Sequence, residues 1–222
     1  MTPEAEFILQ QTSLTAASAV PEIKLQLATE CTPLWQMTEE RLQQSNLPPP
    51  FWAFAWPGGQ GMARYILENP DLVKGKRVLD FAAGCGIAAI AAMKGGAKSS
   101  VAVEIDPLAL AAIQINAAHN DVVVDTINGI DMTKAVKGID LILGGDVCYQ
   151  QGMAATMMRW LWLNFEKGTR VMLSDPGRAY VPHEGLKKCA QYIVPTSRDL
   201  EDSDSRTVTI WELVVPRDDE DA

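Results

Sequence analysis

A glycine turn and an acidic residue one strand later are the first residues whose types and spacing could do chemistry. The stretch VLDFAAGCG (78–86) reads as a buried strand that runs into a turn containing Gly84 and Gly86. Glycines at this place can adopt positive φ and let the backbone approach a ligand without a Cβ clash. Glu104 ends the next strand, at the spacing at which a carboxylate can bind ribose hydroxyls. Together they indicate a ligand with a nucleoside moiety.

Asp80 narrows the class of ligand. Dinucleotide-binding proteins use the same glycine turn and acidic residue, but a carboxylate beside the turn would repel a pyrophosphate. The same carboxylate can accept hydrogen bonds from a positively charged amino acid moiety. S-adenosylmethionine has that moiety and no phosphate, so it is the predicted ligand. The alternative is an ordinary strand-to-helix turn with incidental glycines and an incidental aspartate.

Polar residues also follow the third and fourth strands, at the edge where open α/β sheets bind ligands. Asp131, in NGIDM, comes just after the third strand, within reach of an adenine amino group. A helix N-cap or a plain loop aspartate is the alternative for this residue. Asp146 and Tyr149, in GGDVCY, follow the fourth strand, where the transferred methyl group should lie.

The elements that position these residues alternate between strands and helices. Such alternation is typical of a parallel sheet that is covered on both faces. The last two runs, 191–198 and 206–215, are joined by an acidic loop without room for a crossover helix, so they should form an antiparallel hairpin. The other strands are predicted at 77–81, 100–105, 122–128, 139–146 and 170–175, and the helices between them at 86–95, 107–119 and 151–165.

The first part of the chain has a less regular pattern. IKLQLAT (23–29) alternates and predicts a strand, and TEERLQQSN (38–46) predicts a short helix with Thr38 as its cap. We therefore interpret residues 1–46 as an accessory segment and residues 47–222 as the α/β domain.

Composition and charge exclude several classes of protein. The 222 residues are 47% hydrophobic and 21% charged, which is typical of a globular chain. No apolar run reaches the roughly 18 residues of a membrane span, and the first residues lack the lysines and arginines of a secretory signal, so a cytoplasmic location is predicted. The net charge of −9 makes nucleic acid a poor partner. Four widely spaced cysteines and two histidines, without a C-x-x-C pair, argue against a zinc site and a disulfide framework.

Three stretches resemble a known family. They are PPPFWAFAWPGGQGMARYILENPDLVKGKRVLDFAAGCG (48–86), VAVEIDPLALAAIQINAAHN (101–120) and GGDVCY (144–149). They look like the lysine methyltransferases that modify the β subunit of electron transfer flavoprotein, which carry an Asp-x-x-Tyr motif after strand four. The resemblance runs from about residue 48 through the C-terminal hairpin and includes SDPGR (174–178). The W-P-G-G-Q and Asp-x-x-Tyr motifs make it specific, whereas the glycine turn does not.

The resemblance implies a fold, a methyl donor and a substrate. The fold is α/β, a Rossmann-like seven-stranded class I methyltransferase sheet that is parallel except for its last strand. The substrate is a lysine of the flavoprotein β subunit, and no metal is needed. The residues implied to bind S-adenosylmethionine are Trp56, Asp80, Gly84, Gly86, Glu104, Asp131 and Asp146, and the implied catalytic residues are Asp146 and Tyr149.

Ala82 departs from the pattern Asp-x-Gly-x-Gly-x-Gly that is usual in these enzymes. An alanine at the first glycine position predicts that this position avoids positive φ. The first 45 residues also diverge from the family, so the resemblance assigns no substrate contacts there.

The aromatic stretch before the glycine pair has two interpretations. The resemblance implies that the segment WPGG (56–59) forms a lid over the methionine end of the cofactor and leads into a helix at 60–69. Aromatic faces attract cations, so we assign Trp56 to the site. Phe51, Trp52 and Phe54 are interpreted as core residues that dock the N-terminal segment.

Methyl transfer to lysine sets the expected role of Asp146. Only the neutral amine attacks, although the reference pKa of lysine is about 10.4. Burial favours the neutral amine, whereas a nearby carboxylate favours the ammonium. Asp146 is therefore expected to dock and orient the amine, not to act as a strong base, and Tyr149 to shape the channel. The alternatives are a methyltransferase for a ribosomal protein or a small molecule, and a non-catalytic binding module.

Overall fold

The structure, a computed structural model, describes residues 1–29, 32–36, 49–182 and 184–215. The helix predicted at 38–46, with Thr38 as its cap, lies outside the described residues. The predicted domain boundary after residue 46 lies there too, so this division stays a prediction. Within the described ranges, no helix is both long enough and apolar enough to cross a membrane.

Strands and helices alternate along most of the chain. The strands are β1 (Ser13–Ala17), β2 (Val20–Leu27), β3 (Arg77–Phe81), β4 (Ser99–Glu104), β5 (Asp125–Asn128), β6 (Leu141–Gly145), β7 (Arg170–Asp175), β8 (Leu186–Pro195) and β9 (Ser205–Leu213). The helices are α1 (Pro3–Gln11), α2 (Pro33–Gln36), α3 (Pro57–Glu68), α4 (Ile87–Lys94), α5 (Pro107–His119), α6 (Gln151–Glu166) and α7 (Arg198–Glu201).

Seven strands form one sheet in the order β5-β4-β3-β6-β7-β9-β8. Strands β3 to β7 are parallel, and β9 runs antiparallel to both of its neighbours, β7 and β8. The predicted fold class is confirmed. The chain order reverses between β3 and β6, and a crevice at such a reversal, outside the carboxyl ends of the strands, is where open α/β sheets bind ligands.

Among the strands of the seven-stranded sheet, β5 and β8 differ most from their predicted boundaries. Strand β5 begins at Asp125, because the preceding Val124 is buried against the helical layer before the strand starts. Strand β8 begins at Leu186 and includes Lys187 and Lys188. This strand lies at the edge of the sheet, and edge strands commonly carry lysines. The predicted hairpin is confirmed, although its connection contains the one-turn helix α7.

Both faces of the sheet are covered, and neighbouring residues of β3 point to different sides. Val78 packs in the cluster that contains residues of α3, α4 and β2, whereas Leu79 packs in the cluster that contains α6. Residues Ile87 to Ala92 of α4 are all buried, which explains why this alanine-rich helix has no polar stripe.

The N-terminal hairpin packs against the helices of the sheet domain. Its second strand, β2, is the strand predicted at 23–29, and it lies with β1 in a separate two-stranded sheet. The Asn116 side chain of α5 accepts the Gln26 N–H at 2.7 Å, and the Asn120 side chain donates to the Lys24 carbonyl at 2.6 Å. The apolar side chains of β2 are buried in the same cluster as those of α3 and α4, so this strand takes part in the core.

Gly61 tests the packing of α3 on the sheet. A Cβ at this position would lie 2.6 Å from Cγ1 of Val208 in β9. We expect Gly61→Ala to lower the free energy of unfolding by about 1–3 kcal/mol, because the added methyl overpacks the contact. Gly152→Ala in α6 is the control, since nothing lies within 4 Å of its Cβ position. It should be neutral or raise stability by about 0.5–1 kcal/mol. Urea denaturation measures both; equal effects would contradict the tight α3–β9 contact.

Candidate active site

Asp146 lies where the N-terminus of α3 meets the carboxyl end of β6. Its Oδ2 accepts the Gly58 N–H at 2.5 Å, and its own N–H donates to the Ser174 carbonyl at 3.0 Å. A Cβ on Gly58 would lie 2.4 Å from Oδ2 of Asp146 and 2.8 Å from the Ser174 carbonyl oxygen. The close approach therefore requires glycine. It also places the carboxylate at a helix N-terminus, where the helix dipole stabilises negative charge.

Asp146 is largely buried, and its hydrogen-bond donors favour the ionised form against the effect of burial. Burial raises its pKa to about 6, and the charge and hydrogen bonds of Arg178, together with the Gly58 N–H, oppose the rise. The Arg178 guanidinium donates to Oδ1 from Nη2 at 2.8 Å and from Nε at 3.1 Å. Each carboxylate oxygen therefore has a fixed donor, and this determines the orientation of the side chain.

The glycine turn uses positive φ at alternate residues. Gly84 has φ 54° and Gly86 has φ 79°. Ala82 has φ 53°, so the prediction that this position avoids positive φ is wrong. The chain leaves β3 through a turn that needs the left-handed conformation at the first position too, and alanine adopts it at a cost of roughly 1–2 kcal/mol.

Glu104 contacts the glycine turn directly. Its Oε1 accepts the Gly84 N–H at 2.7 Å and its Oε2 accepts the Ile105 N–H at 3.0 Å. Burial raises the pKa of Glu104. Each oxygen makes one of these bonds and can accept a second, so the carboxylate keeps capacity for hydroxyl donors.

Asp80 is buried at the start of the turn, with 2% of its surface exposed. Its Oδ2 accepts the Ala89 N–H in the first turn of α4 at 2.9 Å. Burial raises its pKa to about 7; the Ala89 N–H opposes this, and the charge of Glu104 adds to it. In a phosphate-binding turn, an N–H group in the first turn of the helix donates to the phosphate. Here the Ala89 N–H donates to the Asp80 carboxylate instead. This arrangement favours a cationic group and disfavours a polyanion.

A cavity of about 50 Å³ brings several predicted residues together. Its lining includes Trp56, Asp80, Gly84 and Asp146. It is smaller than the roughly 300–1,000 Å³ of a complete small-molecule site, so it can hold only the part of a ligand nearest the turn. A larger cavity of about 260 Å³ is also lined by Trp56 and lies between the N-terminal hairpin, α3 and the β8–β9 connection. In the described part of the chain, no cluster of side chains is suited to hold a metal ion.

The aromatic residues divide between core and site. Trp52 is 1% exposed and packs with Ile8 of α1, as the core interpretation predicts. Phe54 is partly buried against the same cluster. Phe51 is 47% exposed, so its assignment to the core is wrong. It instead supports Trp56, whose Nε1–H donates to the Phe51 carbonyl at 2.9 Å.

Tyr149 extends this aromatic surface. Its ring centroid lies 6.0 Å from that of Phe51, which in turn lies 5.9 Å from that of Trp56. The Tyr149 side chain is partly exposed, and its hydroxyl contacts the sulfur of Met153 at 3.6 Å. Burial raises the pKa of Tyr149 and the charge of Glu104 adds to this, so the phenol is neutral at physiological pH.

Four of the predicted residues lie outside the lining of the small cavity: Gly86, Glu104, Asp131 and Tyr149. Gly86 packs against α5, where a Cβ would lie 3.0 Å from Cγ1 of Ile113. Asp131 is engaged in a local turn: its Oδ1 accepts the Thr133 N–H at 3.0 Å, and its Oδ2 pairs with Lys134 at 2.8 Å. The turn matches the loop alternative for Asp131, while its adenine contact stays a prediction.

Sequence reasoning missed Arg178 and Glu201 as part of the site. The signal for Arg178 was present, since SDPGR (174–178) begins in the last two residues of β7 and continues past the carboxyl edge of the sheet. Glu201 had no such signal, because it lies in a polar hairpin connection that reads as a solvated loop. It is 4% exposed and accepts from Arg178 Nη1 at 3.0 Å.

Comparison with known proteins identifies the family. A family model for ribosomal protein L11 methyltransferase matches residues 62–144. The electron transfer flavoprotein beta subunit lysine methyltransferase of Rattus norvegicus is 36% identical over 215 residues, which cover 93% of this chain and 83% of that protein. The chain belongs to this lysine methyltransferase family. The resemblance inferred from the sequence is confirmed over nearly the whole chain.

Solved structures support the fold of this methyltransferase chain. A protein from Pyrococcus horikoshii described as a candidate RNA methyltransferase superposes with a TM-score of 0.54 and 18% identity, over 76% of this chain and 90% of that one. Magnesium protoporphyrin IX methyltransferase from Synechocystis, solved with bound SAM, superposes with a TM-score of 0.50 and 13% identity, over 70% and 77%. At these identities the likeness concerns the fold alone.

The buried carboxylates predict an unusual pH dependence of stability. The pKa of Asp80 rises from 3.8 to about 7 on folding, so between these values the folded state binds more protons than the unfolded state. The free energy of unfolding should therefore increase as pH falls from 8 to 5.5, by about 2 kcal/mol from Asp80 alone. The raised pKa values of Asp146, Glu104 and Asp175 contribute with the same sign.

Urea denaturation of the unliganded protein at both pH values tests this dependence. Asp80→Asn keeps the size of the side chain and removes its titration. In this variant, the increase in the free energy of unfolding from pH 8 to pH 5.5 should be smaller by about 2 kcal/mol. If the free energy of unfolding increased by the same amount in Asp80→Asn and in the wild-type protein, Asp80 would not titrate in this range.

Proposed function

We propose that this protein transfers methyl groups from S-adenosylmethionine to lysine side chains of the electron transfer flavoprotein β subunit. The observation that carries the proposal is the similarity, over nearly the full length, to curated methyltransferases of that name. The site agrees with it chemically. A buried, ionised Asp146 lies next to aromatic rings and to a glycine turn whose carboxylates favour a cationic ligand.

The residues at the turn fit the proposed methyl donor. Glu104 would bind the ribose hydroxyls, since its oxygens keep accepting capacity and lie against the Gly84 N–H. Asp80 would hold the ammonium group of the methionine moiety, which favours its charged form. Trp56 would cover the methionine end, and Asp131 would accept a hydrogen bond from the adenine amino group. Gly84 leaves room for close approach, as nothing lies nearer than 4.0 Å to its Cβ position.

S-adenosylmethionine supplies an electrophilic methyl group on a sulfonium, and the chain must bring a neutral amine in line with it. Positioning supplies much of the rate in such a displacement. Asp146 would accept a hydrogen bond from the amine and set its direction. The aromatic rings of Trp56, Phe51 and Tyr149 would exclude water from the amine, and desolvation lowers the pKa of lysine toward the reactive form.

The remaining assignments rest on the sequence. We infer that the protein works in the cytoplasm, needs no metal, and binds neither membrane nor nucleic acid. The net charge of −9 supports the last point, because it opposes association with a phosphate backbone and suits a substrate with basic residues near the target lysine.

A ribosomal protein is the second candidate substrate. The match of residues 62–144 to the ribosomal protein L11 methyltransferase model favours it. That segment contains the C-terminal half of α3, the glycine turn and β4, and the last two are the elements assigned to the methyl donor. It ends before Asp146, the residue assigned to the amine, and so carries less information about the substrate.

The two candidates are separated by direct methylation. The purified protein is incubated with S-adenosylmethionine carrying a labelled methyl group and, in parallel, with the flavoprotein β subunit, ribosomal protein L11, a short lysine peptide or free lysine. Label on a lysine of the flavoprotein subunit, located by mass spectrometry, is expected. The peptide and free lysine should be poor substrates, because remote contacts supply the binding energy that aligns the amine. Label on L11 alone would select the second candidate.

Glu104→Ala tests the ribose contact. Charge-assisted hydrogen bonds contribute roughly 1.5–3 kcal/mol each, so the affinity for S-adenosylmethionine should fall about tenfold or more. Isothermal titration calorimetry measures the affinity, and circular dichroism checks the fold. Asp125→Ala, an exposed carboxylate at the start of β5, should bind normally. Normal affinity in a folded Glu104→Ala would place the ribose elsewhere.

Asp146→Asn separates substrate orientation from cofactor binding. The amide keeps the size of the side chain and removes the charge that orients the amine, so kcat should fall roughly tenfold or more. The affinity for S-adenosylmethionine should change little. The control is Asp204→Asn, an exposed aspartate that also pairs with an arginine, Arg198, and it should keep full activity. Full turnover in Asp146→Asn would remove Asp146 from the mechanism.

A further inference from the structure

Arg178 connects Asp146 to the β8–β9 connection through an unusually complete set of hydrogen bonds. Its Nε and Nη2 donate to Asp146 Oδ1 at 3.1 and 2.8 Å. On the other side, its Nη1 donates to Glu201 Oε2 at 3.0 Å and its Nη2 to Glu201 Oε1 at 2.5 Å. The planar guanidinium thus lies between two carboxylates, a geometry that fixes the positions of all three groups.

The surroundings hold both ends of this bridge. Asp175 Oδ1 accepts the N–H groups of Gly177 and Arg178 at 2.7 and 2.6 Å, which fixes the backbone from which the arginine extends. Arg206 of β9 donates from Nε to Glu201 Oε2 at 3.1 Å and from Nη2 to the Glu201 carbonyl at 2.6 Å. Glu201 is therefore anchored before it meets Arg178.

The lining of the small cavity separates the roles of these groups. Asp146, whose side chain is 12% exposed, lines the cavity at the glycine turn, whereas Arg178 and Glu201 are not among its lining residues. Both oxygens of Glu201 are bound by arginines, so it has no role at the reacting atoms. Asp146 is the member of the bridge that faces the site.

We propose that Arg178, anchored by Glu201, is a positioning residue for methyl transfer that holds the Asp146 carboxylate in the orientation needed to receive the substrate amine. The role rests on the proposed function. A buried carboxylate without its cation is costly and takes up a proton instead. A protonated Asp146 presents a hydroxyl donor in place of an acceptor, and it no longer orients an amine.

The bridge also connects the site to the surface of the protein. Glu201, with Ser197 and Leu200, lines the larger cavity on the far side of Trp56. The side of Glu201 opposite Arg178 is held by β9, so the orientation of Asp146 depends on a connection that is distant in sequence. The orientation of Asp146 therefore depends on Glu201 and Arg206 as well as on its own strand and α3.

Arg178→Gln tests the proposal through the kinetics of methylation of the flavoprotein β subunit. We expect kcat to fall roughly ten- to hundredfold, with the KM and Kd for S-adenosylmethionine within about threefold of the original values. Arg178→Lys keeps the positive charge but cannot make the bidentate hydrogen bonds of a guanidinium, so its kcat should lie between those of Arg178→Gln and the wild-type protein. Arg198→Gln is the matched control, because Arg198 makes an equally bidentate pair with Asp204 at 3.0 and 2.9 Å but both side chains are exposed. It should keep full activity.

The titration of Asp146 gives a readout that needs no substrate. Carboxyl ¹³C NMR should show its pKa higher in Arg178→Gln than in the unchanged protein, because burial then acts with less opposition. The groups that face Asp146 are Arg178, the Gly58 N–H and Asp175. The acid limb of the pH–rate profile should move to higher pH in parallel.

The outcomes separate this inference from the proposed function. Failure of the wild-type protein to methylate any flavoprotein lysine would overturn the proposed function. The NMR comparison would still decide whether Arg178 sets the pKa of Asp146. A folded Arg178→Gln with normal kcat and an unshifted Asp146 would overturn the inference alone. Should Arg178→Gln fail to fold, Glu201→Gln, which leaves Arg178 in place and removes the charge of its anchor, provides the same comparison with a smaller expected loss.

Discussion

The contact between Gly58 and Asp146 is the constraint on which the rest of the site depends. A helix N-terminus reaches the carboxyl end of the central strands so closely that a Cβ would lie 2.4 Å from the carboxylate oxygen. The same contact aligns three elements, since Ser174 of β7 also donates from Oγ to the Gly58 carbonyl at 2.7 Å. With α3 fixed in this way, Trp56, Asp146 and the glycine turn line one cavity.

The electrostatics of the site follow from this geometry. Acidic residues at the carboxyl edge are buried with few cations, and burial raises the pKa values of Asp80, Glu104, Asp146 and Asp175. Arg178 compensates for part of this charge. A ligand with an ammonium and a sulfonium would favour the ionised forms of these carboxylates, whereas one with phosphates would oppose them. Burial of the carboxylates therefore underlies both the proposed preference for a cationic ligand and the predicted pH dependence of stability.

The sequence predicted most of the sheet because strands β3, β6 and β7 are buried on both faces and read as short apolar runs. The glycine turn, Glu104 and Asp146 were found because polar residues at strand ends are conspicuous against those runs. Other features depend on contacts distant in sequence. The φ of Ala82 is imposed by the turn, Phe51 lies at the surface with its ring against that of Trp56, and Glu201 becomes part of the site only when β9 inserts between β7 and β8.

We expect the methyl donor to bind at the glycine turn with its sulfur directed at Asp146. A crystal structure with S-adenosylhomocysteine measures this directly. We expect the ribose hydroxyls within hydrogen-bonding distance of Glu104, the methionine ammonium at Asp80, and the sulfur on the Trp56 side of the turn, next to Asp146. A ligand bound instead in the larger cavity beside the N-terminal hairpin, away from Glu104 and Asp80, would contradict the account.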